Sequence, residues 1–453
     1  MTDDPTARRL IDDAFARHQA GALVEAISGY RRAIVLTPAS GLAFRCLAHA
    51  RSLGGDVAAG DREAARALAL DPADGIAHLL RGYAAIRGGR RDLARPSLQR
   101  AVALAPGTFD ALNNLAAAPS LEEGPVETAR WAGRALALQP SSPEARLNRA
   151  NAWLALGRWR DAWADHELRL PLQGSYPHLL SGERWRGVQA PSARLLVHDE
   201  IGYGDVFNHL RYLPLARECV GRLLLEVKPG LARLLAGFPG VDAVLERGAS
   251  PPSPAAYDLY VPIESLPGIF ETTIDRVPIE EPGPRPPEAI LSRWRGVLGR
   301  TSARRVGLVW AGNPGSGLDA SRSCRLEDLA PLAELSGIEW ISLQKGPAET
   351  QLQDGSFPAA VAPLGARLAD FADTAAVLSE LDAIVTVETA VAHLAGTLGC
   401  PTAILLSRWP AWRWLLDRDD GPWYRSVRLF RQRIAGDWSA PVAAVRAWLD
   451  EGP

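Results

Sequence analysis

Three short segments of this chain carry residue types that could work on a phosphate-activated substrate. The first is Gly202-Tyr203-Gly204-Asp205, where a carboxylate follows two glycines that leave the backbone open to a substrate. A carboxylate placed in this way can accept the proton of an attacking hydroxyl, so Asp205 is a candidate general base. Aspartate is also a favoured helix N-cap, and a purely structural cap is the alternative interpretation of Asp205.

The second segment is Glu388-Thr389-Ala390-Val391, which follows the apolar run Ala383 to Val387. Thr389 is the predicted N-cap of the next helix, and the small side chain of Ala390 leaves the start of that helix uncovered. Unpaired N–H groups and a partial positive charge at a helix start suit a phosphate, although an ordinary capped helix would have the same sequence. His393, one turn later, is either a ligand-binding residue or a buried, hydrogen-bonded histidine.

The third segment is Gln344-Lys345-Gly346, which ends another predicted strand. Only Lys228 and Lys345 among the 50 basic residues are lysines, and Lys345 is placed where a cation could neutralise a phosphate. The alternative is a solvated turn residue. A glycine-rich loop from Ala311 to Gly317, which includes Gly312 and Asn313, is a further candidate and a weak signal by itself.

Each segment follows an apolar run that predicts a parallel strand, and predicted helices alternate with these runs. The predicted strands are Arg194–His198, Arg222–Val227, Val241–Leu245, Leu259–Pro262, Val306–Trp310, Glu339–Leu343, Ala383–Val387 and Thr402–Leu406. They predict two Rossmann-like lobes, at 194–280 and 304–453, with linkers at 171–193 and 281–303. Since ligands bind at the carboxyl ends of parallel strands, the three segments and the glycine-rich loop are expected to line one cleft.

The first third of the chain is an internal repeat. Pro38, Pro72, Pro106 and Pro140 follow similar apolar segments at a constant step of 34 residues, which is the period of the tetratricopeptide (TPR) repeat. The pattern predicts an all-α solenoid over residues 1–170, with a partial fifth unit at Trp153 to Trp163. Such a groove usually binds an extended peptide or a partner protein, and a dimerisation surface or a spacer is the alternative.

Net charge, apolar segments and cysteine positions limit the partners and the cellular compartment that the sequence predicts. The net charge of -2 gives no electrostatic reason to expect nucleic acid or an anionic membrane as a partner. No apolar segment is long enough to span a bilayer, and the N-terminal residues lack the apolar core of a signal peptide, so we expect a cytoplasmic protein. The four cysteines are far apart, so the sequence predicts neither a disulfide framework nor a metal site.

The second half resembles the GT-B glycosyltransferases of the heptosyltransferase type, glycosyltransferase family nine. The resemblance covers about residues 194–449, and the overall layout is similar to TPR-linked protein O-glycosyltransferases, including flagellin glycosyltransferases. The motifs that carry it are Gly204-Asp205-Val206, Arg305 to Asn313, Leu343-Gln344-Lys345-Gly346, Asp370 to Thr374 and Glu388 to Leu394.

This resemblance implies an inverting, metal-independent transferase that uses a nucleotide-sugar donor and needs no other cofactor. Asp205 matches the proposed base of the family, beside the acceptor-side residues Gly202, Tyr203 and Gly204. The implied donor-side residues are Gly312, Asn313, Gln344, Lys345, Glu388, Thr389, Ala390, Val391 and His393. The acceptor expected from the layout is a serine or threonine of a protein, such as a flagellin, that the repeat recruits.

Two departures from the family keep other interpretations open. The family usually has aspartate where this chain has Glu388, and its usual Glu-Gln-Gly-Leu-Gly-Asp is Glu200 to Asp205 here. The longer side chain of Glu388 could alter donor choice or weaken activity. The alternatives are a glycan or lipid-linked acceptor, and a non-catalytic TPR scaffold with a degenerate GT-B module. The sequence does not distinguish among UDP, ADP, GDP and CMP.

Overall fold

A computed structural model describes residues 4–88, 91–118, 124–173, 180–200, 202–278, 283–315 and 319–452. The predicted linker residues Gly174 and Pro177, and the loop residues Ser316 and Gly317, lie outside these ranges. The chain forms two compact units, Met1–Trp153 and Leu154–Pro453. The sequence placed the end of the repeat domain at 170.

The first unit is built from helices. In the described residues they are α1 Pro5–Gln19, α2 Leu23–Leu36, α3 Gly41–Leu53, α4 Val57–Leu70, α5 Gly75–Arg87, α6 Arg91–Leu104, α7 Phe109–Ala117, α8 Gly124–Leu138 and α9 Pro143–Ala155, the last of which continues across the boundary between the units.

The TPR period seen in the sequence is confirmed by the helix bounds. Helices α3, α5, α7 and α9 begin 34 residues apart, and α2, α4, α6 and α8 end 34 residues apart. Residues that favour N-caps precede the first set at the same step, and three of them accept hydrogen bonds from backbone N–H groups: Ser40 from Ala43, Asp74 from Ala77 and Ser142 from Ala145. The repeat therefore recurs in the caps as well as in the apolar faces.

Close approach of paired helices depends on small residues. A Cβ on Gly60 in α4 would lie 2.3 Å from Oγ of Ser52 and 2.9 Å from the carbonyl oxygen of Ala48, both in α3. A Cβ on Gly82 in α5 would similarly lie 2.4 Å from Cγ of Leu98 in α6. Glycine at these positions thus sets the spacing of the helix pairs.

The second unit contains two parallel sheets with helices between the strands. Its described helices are α10 Trp159–His166, α11 Arg169–Gln173, α12 Tyr203–His209, α13 Leu213–Cys219, α14 Ala232–Leu235, α15 Leu266–Ile269, α16 Glu288–Leu298, α17 Asp319–Arg322, α18 Phe371–Leu378, α19 Ala390–Thr397 and α20 Ser439–Glu451. Its described strands are β1 Glu183–Arg184, β2 Ala190–His198, β3 Val220–Val227, β4 Ala243–Glu246, β5 Leu259–Pro262, β6 Arg304–Val309, β7 Ile338–Ser342, β8 Val361–Pro363, β9 Ala383–Val387, β10 Thr402–Leu406 and β11 Val427–Arg431.

Every described pair of adjacent strands in the two sheets is parallel. The first sheet has the order β1-β5-β2-β3-β4, and the second has the order β11-β10-β9-β6-β7-β8. The central strands β9 and β10 are buried along their whole length, as a parallel strand covered on both faces must be. The prediction of α/β lobes built on parallel sheets is confirmed.

Three strands and one cap differ from the sequence prediction. The sequence did not predict β1, β8 and β11, which lie at the edges of their sheets. The sequence also predicts a helix over about Leu368 to Leu381 with a cap near Asp373 or Thr374, whereas α18 is capped by Asp370, whose side chain accepts from the N–H groups of Ala372 and Asp373. Two of the missed strands are only two or three residues long, which is too short for a periodic signal.

None of the helices in the described ranges is both long and apolar enough to cross a membrane.

The spacing of the helix pairs gives a stability prediction. Gly60→Ala should lower the free energy of unfolding by about 1–3 kcal/mol, because its Cβ meets the backbone of α3. Gly133→Ala is the matched control, since Gly133 lies within α8 and a Cβ there meets nothing within 4 Å. That variant should be about 0.5–1 kcal/mol more stable than the parent. Urea unfolding measures the free energy of unfolding of both variants. Equal changes in the two variants would contradict the close approach of α3 and α4 at Gly60.

Candidate functional site

The first sheet has its topological switch point between β2 and β5. Strand β2 pairs with β3 on one side and with β5 on the other, so the connections leave it in opposite directions. Asp205 is in α12, which follows β2, and Glu264 is in the 3₁₀ turn Ile263–Ser265, which follows β5. Two carboxylates therefore stand at the crevice where parallel sheets bind ligands.

The second sheet has its switch point between β6 and β9. Strand β6 pairs with β7 on one side and with β9 on the other. Gly312 follows β6 and Glu388 follows β9, so two of the predicted donor-side segments flank this switch point. Lys345 follows β7, which is one strand away from it.

The two switch points meet through helices α12 and α19. A Cβ on Gly204 would lie 2.7 Å from Cδ2 of His393 and 3.5 Å from Cα of Ala390, so glycine is required for this contact. One turn further along α12, Nδ2 of Asn208 donates to the hydroxyl oxygen of Tyr424 at 3.1 Å. That hydroxyl also lies 3.0 Å from Nδ1 of His393. The structure thus brings the segment Gly202 to Asp205 against the start of α19.

Tyr203 lies at the outer edge of this contact. Its ring centroid is 5.0 Å from that of Phe371 at the start of α18, and its hydroxyl donates to the carbonyl oxygen of Pro229 at 3.3 Å. Tyr203 therefore packs between the sheets and contributes to their closure.

Both carboxylate oxygens of Asp205 have partners. Oδ2 accepts the N–H of Gly202 at 3.0 Å, which is the capping contact expected at a helix start. Oδ1 forms an ion pair with Nη2 of Arg413, a residue of the 3₁₀ turn Trp412–Trp414 in the loop after β10. Asp205 is thus not the N-cap, which is Gly202, but a residue of the first turn. One of its oxygens caps the helix start, while the other holds a cation from the opposite sheet.

Arg413 belongs to a row of buried charges that alternate in sign. Its Nη2 also lies 3.6 Å from Oε1 of Glu264, whose Oε2 lies 3.5 Å from Nε of Arg169 in α11. Nη2 of Arg169 pairs with Oε2 of Glu200, directly after β2, at 2.7 Å. We call the row Glu200, Arg169, Glu264, Arg413 and Asp205 the buried charge chain.

Glu264 is the most poorly paired member of the buried charge chain. Both of its cation contacts are longer than a charge-assisted hydrogen bond, and its side chain is only 5% exposed. Burial is the largest cause that raises the pKa of Glu264, and the negative charges of Asp205 and Glu200 raise it further against the two arginines. The local structure therefore favours a protonated Glu264 next to the contact between Asp205 and Arg413.

Glu388 holds the loop that carries Arg413. Its Oε2 accepts the N–H of Ala411 at 3.1 Å, two residues before Arg413. Burial raises the pKa of Glu388, while that hydrogen bond and the positive charges of Arg322 and Arg413 oppose the increase. The family resemblance implied a donor-side role for Glu388, whereas in this structure its carboxylate is bonded to the loop after β10.

The start of α19 has the predicted N-cap. Thr389 has an extended backbone, and its hydroxyl accepts the N–H of Ala392. Ala390 and Val391 form the first turn and are partly exposed, as a helix start open to an anion requires. His393 is buried and stacks on Trp414 with ring centroids 4.8 Å apart. Burial is the main cause that lowers the pKa of His393 to about 3, so its imidazole is neutral.

The glycine-rich loop lies against a second arginine. The N–H of Gly312 donates to Oγ of Ser323 at 2.9 Å, and a Cβ on Gly312 would lie 3.1 Å from Nη2 of Arg322. Asn313 is exposed, and its Oδ1 accepts the N–H of Gly315 at 2.9 Å. Gly312 therefore leaves space for the Arg322 guanidinium, while Asn313 shapes the turn.

Gln344 and Lys345 are placed differently from the expectation for donor binding. Gln344 is buried, and its Oε1 accepts the N–H groups of Trp310 and Ala311 at 3.0 and 2.9 Å. Lys345 is exposed, and its Nζ donates to the carbonyl oxygen of Leu368. Gln344 thus fixes the loop after β6, and the structure does not bring Lys345 into the buried charge chain.

Sequence reasoning missed Arg413 as a site residue. The signal that could have found it is an arginine between two tryptophans, on a loop that follows the buried strand β10. Glu264 was equally visible, directly after β5, as a carboxylate at the carboxyl end of a predicted strand.

No family model matches the chain. Protein FlbA of Caulobacter vibrioides is 28% identical over 377 residues, which cover 76% of this chain and 62% of that protein. The chain thus spans less than two thirds of the length of this relative, whose name states no activity.

Several solved structures are similar to part of the chain. A crystal structure of the MamA protein is 18% identical, with a TM-score of 0.32, and covers 39% of this chain and 98% of its own. YrrB, described as a TPR protein with an unusual peptide-binding site, is 18% identical, with a TM-score of 0.30, and covers 37% of this chain and 86% of its own. At these TM-scores the similarities carry no argument about this chain.

The poorly paired Glu264 predicts a pH dependence of stability. The raised pKa means that the folded state holds a proton that the unfolded state releases above the ordinary glutamate pKa of about 4.3. Stability is therefore lost as the pH rises from about 4.3 through the raised pKa of Glu264 at about 8. Glu264→Gln keeps the shape but cannot ionise, so it should reduce this loss by about 1 kcal/mol or more.

Urea unfolding at the two ends of this pH range measures the effect. Glu327→Gln is the control, because Glu327 is on the surface with its side chain 51% exposed. The control should follow the pH dependence of the parent. The same slope in Glu264→Gln and in the parent would show that Glu264 is ionised in the folded protein.

Proposed function

We propose that this chain is a metal-independent GT-B glycosyltransferase that moves a sugar from a nucleotide-sugar donor to a hydroxyl group. One observation carries the proposal: Asp205 from the switch point of the first sheet lies against Arg413 and the start of α19 from the second sheet. The resemblance to the heptosyltransferase type, carried by motifs that include these residues, supports it as well.

In the proposed reaction, Asp205 accepts the proton of the acceptor hydroxyl. The hydroxyl oxygen then forms a bond to the anomeric carbon, and the bond from that carbon to the diphosphate oxygen breaks. The electron pair of this bond leaves with the nucleoside diphosphate, and attack from the opposite face inverts the anomeric centre. The residue types fit these roles, since a carboxylate faces cations and a helix start across the crevice.

The second sheet would hold the donor. The start of α19, with Thr389, Ala390 and Val391, offers N–H groups to the diphosphate. The loop after β6, with Gly312 and Asn313, would form the other wall of this site. Lys345 would contribute its charge after releasing the carbonyl oxygen of Leu368, because among the described residues one hydrogen bond holds its side chain at an exposed position.

The acceptor would be a protein that the TPR repeat recruits, with a flagellin serine or threonine as one example. Solenoid repeats bind partners along an extended concave surface, which suits presentation of a disordered segment to an enzyme on the same chain. A glycan or lipid-linked glycan is the alternative acceptor. Retention of a glycan, but of no protein, on the repeat would favour that alternative.

A second candidate function is a TPR scaffold whose GT-B module binds without catalysis. The observation that favours it is that both carboxylate oxygens of the candidate base Asp205 already have partners in this structure. Nucleotide binding is shared by an active enzyme and by a scaffold that keeps its donor site. Loss of transfer on removal of the base is specific to the enzyme.

A donor site predicts stabilisation by one nucleoside phosphate. In a thermal-shift panel of UDP, ADP, GDP and CMP, one ligand at about 100 times its dissociation constant should add about 2.7 kcal/mol. Lys345→Ala should reduce the shift with that ligand. Lys228→Ala is the matched control, because this second lysine bonds the carbonyl oxygen of Glu200 in the first sheet and should leave the shift unchanged. No shift with any of the four would favour the scaffold.

The base assignment predicts the effect of removing one charge. Asp205→Asn should lower kcat about 10²–10⁴-fold with the donor class that the panel identifies, because the amide cannot accept the hydroxyl proton. The release of nucleoside diphosphate in the presence of the acceptor protein measures it. Asp258→Asn is the control, since Asp258 makes a surface ion pair with Arg194 in the same sheet. Full transfer by Asp205→Asn would rule out Asp205 as the base.

A further inference from the structure

Arg413 is buried with its charge directed across the crevice. The residue is 8% exposed, and its Nη2 contacts the carboxylates of Asp205 and Glu264 in the first sheet. Its Nε is buried without a hydrogen-bond partner in the described residues. A guanidinium has five N–H donors in a fixed fork, so this arrangement leaves donor capacity unused inside the crevice.

The backbone around Arg413 is fixed on both sides. Glu388 holds Ala411 before it, and Nε1 of Trp423 donates to the carbonyl oxygen of Arg413 at 3.0 Å. Leu415, two residues later, is buried at φ 55°, a left-handed value that is uncommon for a leucine. Strained backbone of this kind persists only where the surrounding structure over-determines it. The loop is thus built to present one side chain, whose guanidinium can exchange partners while the backbone stays in place.

The partner that Arg413 holds is the candidate base. Nη2 of Arg413 pairs with Oδ1 of Asp205, and the N–H of Gly202 donates to Oδ2. An acceptor hydroxyl must therefore compete with both groups for the carboxylate. A diphosphate carries more negative charge than one carboxylate and accepts a guanidinium fork on two oxygens. An anion that enters beside the start of α19 therefore competes directly for Arg413.

We propose that Arg413 couples donor binding to release of the base, by exchanging Asp205 for the diphosphate of the donor. This inference rests on the proposed function, since it concerns the same crevice. Without a donor, the Asp205–Arg413 pair keeps the base occupied. With a donor, Arg413 turns to the diphosphate and Asp205 faces the acceptor hydroxyl. Arg413 is a positioning residue for the base and a ligand of the leaving group.

The exchange predicts opposite effects of two substitutions on anion affinity. Asp205→Asn removes the competing carboxylate charge, so it should tighten binding of the nucleoside diphosphate by about tenfold. Arg413→Ala removes the ligand and should weaken binding by about tenfold or more. In the double variant, Asp205→Asn should no longer tighten binding, because no guanidinium remains to be released. Isothermal titration calorimetry measures the affinities of the parent, the two single variants and the double variant, each as the full chain. The ligands are UDP, ADP and GDP, with inorganic pyrophosphate as a probe that lacks the nucleoside.

Controls separate this coupling from a structural role. Arg295→Ala removes a surface arginine that pairs with Glu380 and Glu288, and should leave the affinity unchanged. Arg413→Lys keeps the charge without the fork and should restore part of the affinity. Should Arg413→Ala fail to fold, Arg413→Lys takes its place in the double variant. Loss of the Asp205 charge reduces the repulsion of any nearby anion, whereas a smaller tightening by Asp205→Asn when the guanidinium fork is absent is specific to the exchange.

The outcomes distinguish this inference from the proposed function. Tighter binding by Asp205→Asn that requires Arg413 supports the exchange. Diphosphate binding that Asp205→Asn leaves unchanged or weakens overturns the exchange while the donor site stands. No diphosphate binding by the parent or by Asp205→Asn overturns both.

Discussion

The second unit depends on one constraint, which is that charges buried between its two sheets must find partners. The buried charge chain draws Arg169 from α11, Glu200 and Glu264 from the ends of β2 and β5, Asp205 from α12 and Arg413 from the loop after β10. Removing one partner from such a pair leaves an uncompensated buried charge, which costs about 3–5 kcal/mol. The relative positions of these five elements are therefore held by charge pairing as well as by apolar packing.

Aromatic rings form the apolar surroundings of this chain of charges. The ring of Trp159 in α10 stacks on that of Trp423, with centroids 5.1 Å apart, and Trp163 lies edge-on to Trp412 at 5.6 Å. These contacts explain why α10, which the sequence assigned to a partial fifth repeat, is packed into the second unit. The rings exclude water from the side of the loop that carries Arg413, which strengthens the ion pairs behind it.

Periodic features could be predicted from the sequence, and contacts across the crevice could not. The 34-residue step placed the helix pairs because each pair repeats the same burial pattern, and β9 and β10 were visible as continuous apolar runs. The edge strands β1 and β8 carry too few residues for a pattern. Local sequence identified Thr389 as an N-cap, which the structure shows, and it placed Asp205 at a helix start, although the N-cap there is Gly202. It could not show that Arg413, more than 200 residues along the chain, is the partner of Asp205, because that pairing depends on how two sheets face each other.

Glu388 illustrates how a difference from the pattern of a family that the chain only resembles can have a physical role. An aspartate at this position would be shorter by one carbon–carbon bond, about 1.5 Å, and its carboxylate would fall short of the N–H of Ala411. The extra methylene lets the side chain fix the loop after β10, and this loop delivers Arg413 to Asp205. The substitution that suggested a degenerate module and the arginine that the sequence did not single out therefore belong to one device. In the proposed transferase, Glu388 would therefore serve the crevice by fixing the backbone from which Arg413, with an Nε donor that has no partner in the described residues, contacts the candidate base.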